Sequence, residues 1–280
     1  MMTVKEIPRL RGQVAEWRGA GERIGFVPTM GNLHQGHMQL VRHARSAAQR
    51  VVVSVFVNPM QFGPGEDFNS YPRTLEQDRD KLADESVDLL FAPGIEEIYP
   101  HGARHTTRVE VPQVSEGLCA DFRPGHFAGV ATVVARLFNL VQPDVAVFGE
   151  KDFQQLAVIG RMVEDLGWPI EIAAVATVRE PDGLAMSSRN QYLTAEERQR
   201  APLLYRTLCE VAARLRSGES CFAELESDAL QTLRSAGFEP EYVAIRDALT
   251  LQSPAGMDTP QVVLAAARLG RTRLIDNVQV

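Results

Sequence analysis

The run Val51-Val52-Val53-Ser54-Val55-Phe56-Val57 constrains the fold more than any other part of the chain. A strand with one face in water alternates apolar and polar residues. This one does not alternate, so both its faces must be covered, as in a parallel sheet with helices above and below. Shorter apolar runs repeat the theme at Ile24–Val27, Val87–Phe91, Val145–Phe148 and Ile170–Val178. Helical spacing fills the gaps between them. A first helix around Val14 and Trp17 ends at Gly19 and Gly21, and a second carries Leu40, Val41 and Ala44 on one face. Thr74-Leu75-Glu76-Gln77 reads as a capping box opening the next, with further helices over Val130–Val141 and Phe153–Leu166. Alternating strand and helix predicts an α/β fold with a doubly wound, mainly parallel sheet.

Thr106–Val111 is read as a short strand, and Arg123–Phe127 as a loop with a cation and an imidazole at its tip. After Val178 the order changes to two long helices, Ala195–Arg216 and Phe222–Ala236. Strands at Tyr242–Ile245, Val262–Ala266 and Arg273–Val278 follow. That predicts a smaller C-terminal α+β domain, with domains at 1–176 and 177–280 and no Gly/Ser linker between them.

A net charge of −7 argues against a general nucleic-acid binder but leaves room for a small anionic ligand, which needs only local positive charge. No apolar run approaches the length that spans a bilayer, and Met1–Leu10 has no apolar core for a signal peptide. Cys119, Cys209 and Cys221 are odd in number and lack metal-ligand spacing, so free thiols in a reducing, cytoplasmic setting are expected.

The chemistry gathers where strands hand over to helices. Pro28-Thr29-Met30-Gly31-Asn32-Leu33-His34-Gln35-Gly36-His37 follows the first strand and opens a helix. Free N–H groups and the positive dipole end attract phosphate there, and imidazoles can hydrogen-bond it. Asn58-Pro59-Met60-Gln61 and Gly149-Glu150-Lys151-Asp152 also follow strands, and in open α/β sheets ligands bind at these carboxyl ends. Lys151 between strand and helix suits a phosphate. Asp152 suits either a helix cap or a ligand or Mg²⁺ role. Gln155 lies one turn beyond Lys151. Met186-Ser187-Ser188-Arg189-Asn190 offers two hydroxyls and a guanidinium to phosphate, although on spacing alone a plain turn with a surface arginine fits as well. Neither a Walker A sequence nor a G-x-G-x-x-G after the first strand is present. The pattern points to attack on the α-phosphate of a nucleotide with loss of pyrophosphate.

Seven segments together resemble the pantoate–β-alanine ligase (pantothenate synthetase) family of the His-x-Gly-His nucleotidylyl-transfer superfamily. They are Phe26–His37, Val57–Phe62, Tyr71–Thr74, Arg123–Phe127, Phe148–Leu156, Asp182–Asn190 and Arg273–Asn277. The resemblance implies a Rossmann-like first domain, a C-terminal lid domain and a homodimer. It implies ATP as substrate with Mg²⁺, pantoate and β-alanine as the small-molecule partners, and a pantoyl-adenylate intermediate. Carried onto this chain, ATP falls to Met30, Gly31, Asn32, Leu33, His34, Gln35, Gly36 and His37, to Gly149, Glu150, Lys151 and Asp152, and to Val178, Met186, Ser187, Ser188 and Arg189. His37 is the implied proton donor, with His34, Lys151 and Arg189 beside it as catalytic groups. Gln61 and Gln155 take pantoate, and Gln61 also β-alanine. Ala120 stands where the family usually has glycine, and nothing is carried over between Ala201 and Pro260. The competing readings are another nucleotidylyltransferase of this fold, which has no reason to carry Gln61 and Gln155, and a non-catalytic nucleotide-binding regulator. The regulator would be expected to lack one of the histidines or the lysine.

Overall fold

The computed structural model describes residues 1–280 and divides into two compact units. The first comprises Met1–Ser115, Arg123–Glu150 and Gln155–Ala176; the second comprises Glu116–Phe122, Lys151–Gln154 and Thr177–Val280.

In chain order the elements up to residue 176 are β1 (Met2–Val4), α1 (Ile7–Gly19), β2 (Ile24–Thr29), α2 (Gln35–Ala47), β3 (Arg50–Val55), α3 (Leu75–Asp84), β4 (Leu89–Phe91), α4 (Ile95–Ile98), α5 (Cys119–Phe122), α6 (His126–Val141), β5 (Val145–Gly149), α7 (Phe153–Asp165) and β6 (Glu171–Val175). Of these, α5 and the first two residues of α7 group with the second unit.

The first unit is a six-stranded parallel sheet in the order β1-β4-β3-β2-β5-β6. Val51, Val52 and Val53 on β3 are fully buried, as a strand covered on both faces requires. On one face Met38, Val41 and Ala44 of α2 and Leu82 of α3 pack on Val27, Val53 and Leu90. On the other, Phe138 of α6 sets its ring edge-on to Phe26 and Phe148. From β2 the chain builds β3 and β4 to one side, then returns to place β5 and β6 on the other. The switch point therefore lies between β2 and β5, which pair at Gly25↔Val145 and Phe26↔Ala146.

The structure departs from the sequence reading in several places, each for a physical reason. β1 has one buried residue in three, too little pattern to read. Thr106–Val111 is not a strand; the Val109 N–H is satisfied by the Thr132 hydroxyl at 2.9 Å instead of a ladder partner. Thr74 precedes α3 but makes no capping box, because its hydroxyl donates to the Asp78 carboxylate at 3.1 Å. α6 begins earlier than expected, at His126, behind a left-handed Gly125.

The second unit carries α8 (Ala195–Arg200), α9 (Leu203–Arg216) and α10 (Phe222–Ser235), then β7 (Glu239–Asp247), β8 (Gln261–Leu269) and β9 (Thr272–Gln279). The helix expected over 195–216 is interrupted before Pro202, which has no N–H to continue it. α8 has its own reciprocal cap, Thr194 with Glu197. The strands form an antiparallel sheet β7-β8-β9. Leu208, Val211, Leu225 and Leu233 pack on Ile245, Val263 and Ala265 of that sheet. Gln154 ties the two short outlying segments together: its side chain accepts from the Cys119 N–H at 3.1 Å and donates to the Glu116 and Gly117 carbonyls.

Candidate active site

In the first unit the histidine turn leaves the sheet at the carboxyl end of β2, and Gly149-Glu150 leaves at the carboxyl end of its neighbour β5. Gly31 and Asn32 are both left-handed, at φ +84° and +51°. Only glycine fits the first position, since a Cβ there would meet Val55 Cγ1 at 2.9 Å. Asparagine tolerates the second better than most side chains. The strained backbone is held from α3. The buried Asp78 carboxylate accepts from the Asn32 and Leu33 N–H groups, both at 2.8 Å, and Lys81 Nζ donates to the Leu33 carbonyl at 2.6 Å. The Thr29 hydroxyl accepts from the Gly31 N–H at 3.2 Å.

The two histidines cap α2 reciprocally. His34 Nδ1 accepts from the Gly36 N–H at 3.1 Å, and His37 Nδ1 accepts from the His34 N–H at 3.2 Å. This is a capping box in which imidazoles replace the usual hydroxyl and carboxylate. An Nδ1 that accepts carries no proton, so in the neutral form each ring carries its hydrogen on Nε2. The rings sit with centroids 4.1 Å apart, and Met30–His37 thus couples a helix N-terminus to two Nε2–H donors.

Gln61 belongs to the same neighbourhood, in a short 3₁₀ turn over Pro59–Gln61. Its side chain is 9% exposed, accepts from Asn58 Nδ2 at 3.1 Å and directs Nε2 to the Met30 sulfur at 3.1 Å. Asn58 is itself fixed by the Tyr99 hydroxyl, which donates to Oδ1 at 2.8 Å, and by the Gly129 carbonyl, which takes an Nδ2 hydrogen. Burial pushes the Tyr99 phenol up, so it stays a donor. The Gln61 carbonyl takes Arg123 Nη2 at 3.2 Å and His126 Nδ1 at 2.8 Å, with Arg123 also bidentate to Glu66. α6 packs tightest on this turn at Gly129, where a Cβ would lie 2.3 Å from the Met60 carbonyl oxygen. Gln155 lies in the first two turns of α7, half-buried.

In the second unit Lys151 occupies a 3₁₀ turn over Glu150–Asp152, with Asp152 Oδ2 4.0 Å from its ammonium. Val178–Met186 folds into a tight hairpin: Met186 donates to the Val178 carbonyl at 2.9 Å, and Glu180 to Leu184 at 2.8 Å. Ser187 caps the following 3₁₀ turn by accepting from the Arg189 N–H at 3.3 Å. Lys151, Ser187, Asn190 and Asp276 line one small cleft. Sequence reasoning gave no role to Asp78, Tyr99, Gly129, Arg179 or Asp276. None carried a local signal: even Gly129 lies just ahead of the helix expected over Val130–Val141.

A parallel sheet whose switch point carries a histidine-capped helix N-terminus is the scaffold of a nucleotide-binding α/β enzyme. The family model of pantoate–beta-alanine ligases matches residues 2–279. A pantothenate synthetase of Stutzerimonas stutzeri is 57% identical over 280 residues, covering 100% of this chain and 98% of its own. That of Pseudomonas putida GB-1 is 58% identical over 278 residues, covering 99% and 97%. Among solved structures, a pantothenate synthetase of Thermus thermophilus superposes with a TM-score of 0.92 at 50% identity, over 100% of this chain and 99% of that one. The pantoate–beta-alanine ligase of Francisella tularensis, complexed with beta-gamma ATP and beta-alanine, gives 0.82 at 34%, over 100% and 97%. The chain belongs to the pantoate–β-alanine ligase family and is an enzyme of pantothenate biosynthesis.

Proposed function

We propose that the chain joins (R)-pantoate to β-alanine in two half-reactions. A pantoate carboxylate oxygen attacks the α-phosphorus of ATP; pyrophosphate leaves and pantoyl adenylate remains. The β-alanine amine then attacks the acyl carbon, AMP leaves, and pantothenate is formed. The end-to-end match to the family carries this reading, and the Francisella relative bound to a nucleotide and β-alanine supports it.

Each part of the proposed site has a physical role. Met30–His37 receives the ATP phosphates at the positive dipole end of α2, and the His34 and His37 imidazoles donate to phosphate oxygens from Nε2, His37 being the proton donor; most of the turn's own N–H groups are spent on holding its shape. Gly149–Asp152 forms a second ATP-binding stretch, with the Lys151 ammonium countering charge that builds on the leaving oxygens. Val178 and Met186 contact the nucleotide, and Ser187, Ser188 and Arg189 its phosphates. Gln61 and Gln155 hold pantoate, and Gln61 then β-alanine.

Mg²⁺ enters as MgATP. Asp152, beside Lys151, is the candidate side chain for it. Residues 1–176 serve ATP and pantoate, and 177–280 act as a lid. A cytoplasmic homodimer completes the proposal; no helix is long and apolar enough to cross a membrane.

The test is pyrophosphate release. It should require ATP and pantoate together, with AMP and pantothenate appearing once β-alanine is added. Equal release with a range of other carboxylic acids would refute the substrate assignment.

A further inference from the structure

The last strand reaches Lys151. On β9, the Asn277 side-chain amide donates from Nδ2 to the Lys151 main-chain carbonyl at 3.1 Å. Asn277 is 6% exposed, so this bond is made away from bulk water and water competes poorly for either partner. Asn277 is in turn held at its own backbone. Its N–H donates to Asp276 Oδ1 at 2.8 Å, and its carbonyl takes Arg179 Nη2 at 3.4 Å. Arg179 and the buried Asp276 form a two-point ion pair at 2.7 and 2.9 Å. The guanidinium also donates to the Gly183 carbonyl at 3.1 Å and lies 3.5 Å from the Tyr205 ring centroid. Its position is therefore fixed from four sides.

We propose that Asn277 is a positioning residue for Lys151, with the Asp276–Arg179 pair as its mount. This rests on the reading of Lys151 as the cation that stabilises phosphate charge. A lysine ammonium rides on a flexible four-carbon stem, so its placement depends on how firmly the stem's root is held. Lys151 sits in a three-residue turn rather than inside a long helix, so the turn's own ladder holds it weakly. The amide of Asn277 supplies an external anchor at the main chain and leaves the ammonium to the ligand. The same mount grips the Val178–Met186 hairpin through the Gly183 carbonyl. One dipeptide thus sets the root of Lys151 and the hairpin that leads to Ser187, Ser188 and Arg189.

A double-mutant cycle on the full-length enzyme tests this, with adenylate formation and aminolysis of preformed pantoyl adenylate measured separately. Asn277→Ala in the native background should slow adenylate formation about tenfold, the order of one hydrogen bond whose loss falls on the transition state. The same substitution in Lys151→Ala should cost less than about twofold, since the group it positions is gone. Aminolysis should be unchanged. A loss equal in both backgrounds, or equal in both half-reactions, would make Asn277 a structural residue of β9 and overturn the inference. The Lys151→Ala single variant keeps the two readings apart. If it forms adenylate normally, the role of Lys151 fails first, whatever Asn277→Ala does. Should Asn277→Ala not fold, Asn277→Ser takes its place in the cycle. Its hydroxyl keeps the position polar but is too short to reach the Lys151 carbonyl.

Discussion

Replacing Asp78 with asparagine isolates what holds the histidine turn in place. The carboxylate receives three hydrogen bonds: the N–H groups of Asn32 and Leu33, both at 2.8 Å, and the Thr74 hydroxyl at 3.1 Å. It is fully buried, and Leu33 is only 2% exposed, so water does not easily replace it. A hydrogen bond to a charged group contributes about 1.5–3 kcal/mol, and a buried donor left without a partner costs about 1–3 kcal/mol. Asparagine keeps the shape and one acceptor but turns its NH₂ toward one of the two backbone donors. That removes about 2–3 kcal/mol, whereas alanine removes both backbone bonds, about 3–6 kcal/mol. The larger figure approaches the whole stability of an ordinary domain, about 5–15 kcal/mol, so Asp78→Asn is the informative variant.

The loss falls on Gly31 and Asn32, the two residues already held in left-handed geometry. They should relax first, carrying His34 and the start of α2 out of line. The expected result is faster amide exchange over residues 30–38, at least a tenfold rise in the KM for ATP, and a β-alanine KM within about twofold of native, on the uniform-binding logic for a lost ground-state contact. Native exchange at Asn32 and Leu33 with an unchanged ATP KM would refute the claim that Asp78 shapes the turn.

Four further outcomes follow from the same geometry. Gly129→Ala should loosen α6 from the Pro59–Gln61 turn, lower the melting temperature by the equivalent of about 1–3 kcal/mol and raise the KM for pantoate through Gln61, which steady-state kinetics and a thermal melt would register. His37→Ala and Lys151→Ala should each slow adenylate formation on the order of 10²-fold, and Lys151→Ala should spare aminolysis of preformed adenylate, as read by single-turnover kinetics. Saturating ATP should slow hydrogen exchange across Val178–Asn190 if that segment closes on the nucleotide, and unchanged protection would count against a lid. Burial alone would raise the Glu66 carboxyl, but the Arg123 guanidinium outweighs it and holds the group below its usual range. The stability it contributes is therefore present above the unfolded-state value and lost as pH falls through the lower folded value, so protease cleavage within Gly63–Ser70 should accelerate only on acidification below about pH 4.

The parallel sheet was legible because its strands are buried on both faces and so carry continuous apolar runs. β3 is the plainest case, with Val51, Val52 and Val53 at zero exposure. What escaped was short or bent. β1 is three residues long, and the helix over 195–216 is broken at Pro202, a residue that its helical spacing obscured. The 106–111 segment failed as a strand because a side chain, Thr132, took the hydrogen bond that a ladder would have supplied.

At the candidate site the division is sharper and has one cause. The residues proposed to touch ligand lie in compact motifs, because a strand end and the helix after it place neighbouring residues on one spot. Their supports lie 45 to 126 residues away in sequence: Asp78 beneath Leu33, Gly129 beside Asn58, Asn277 against Lys151. No local period reports such a partner. An aspartate inside a charged helix reads as a solvated face, and an asparagine near the end of the chain reads as a turn former. The two histidines bridge both categories, since their Nδ1 atoms cap the helix and the hydrogen of each neutral ring is thereby placed on Nε2. Protonating either ring on Nδ1 would give up a cap bond of about 1 kcal/mol or more, so the fold itself favours the tautomer that a phosphate oxygen requires. A substitution that kept a donor but lost the cap, such as His34→Lys, should therefore disorder the start of α2 as well as weaken ATP binding. A capping replacement, His34→Asn, should preserve the helix and lose ATP affinity alone. Equal ATP affinity in the two variants, with equal exchange over Gln35–Met38, would separate the cap from the tautomer and break that argument.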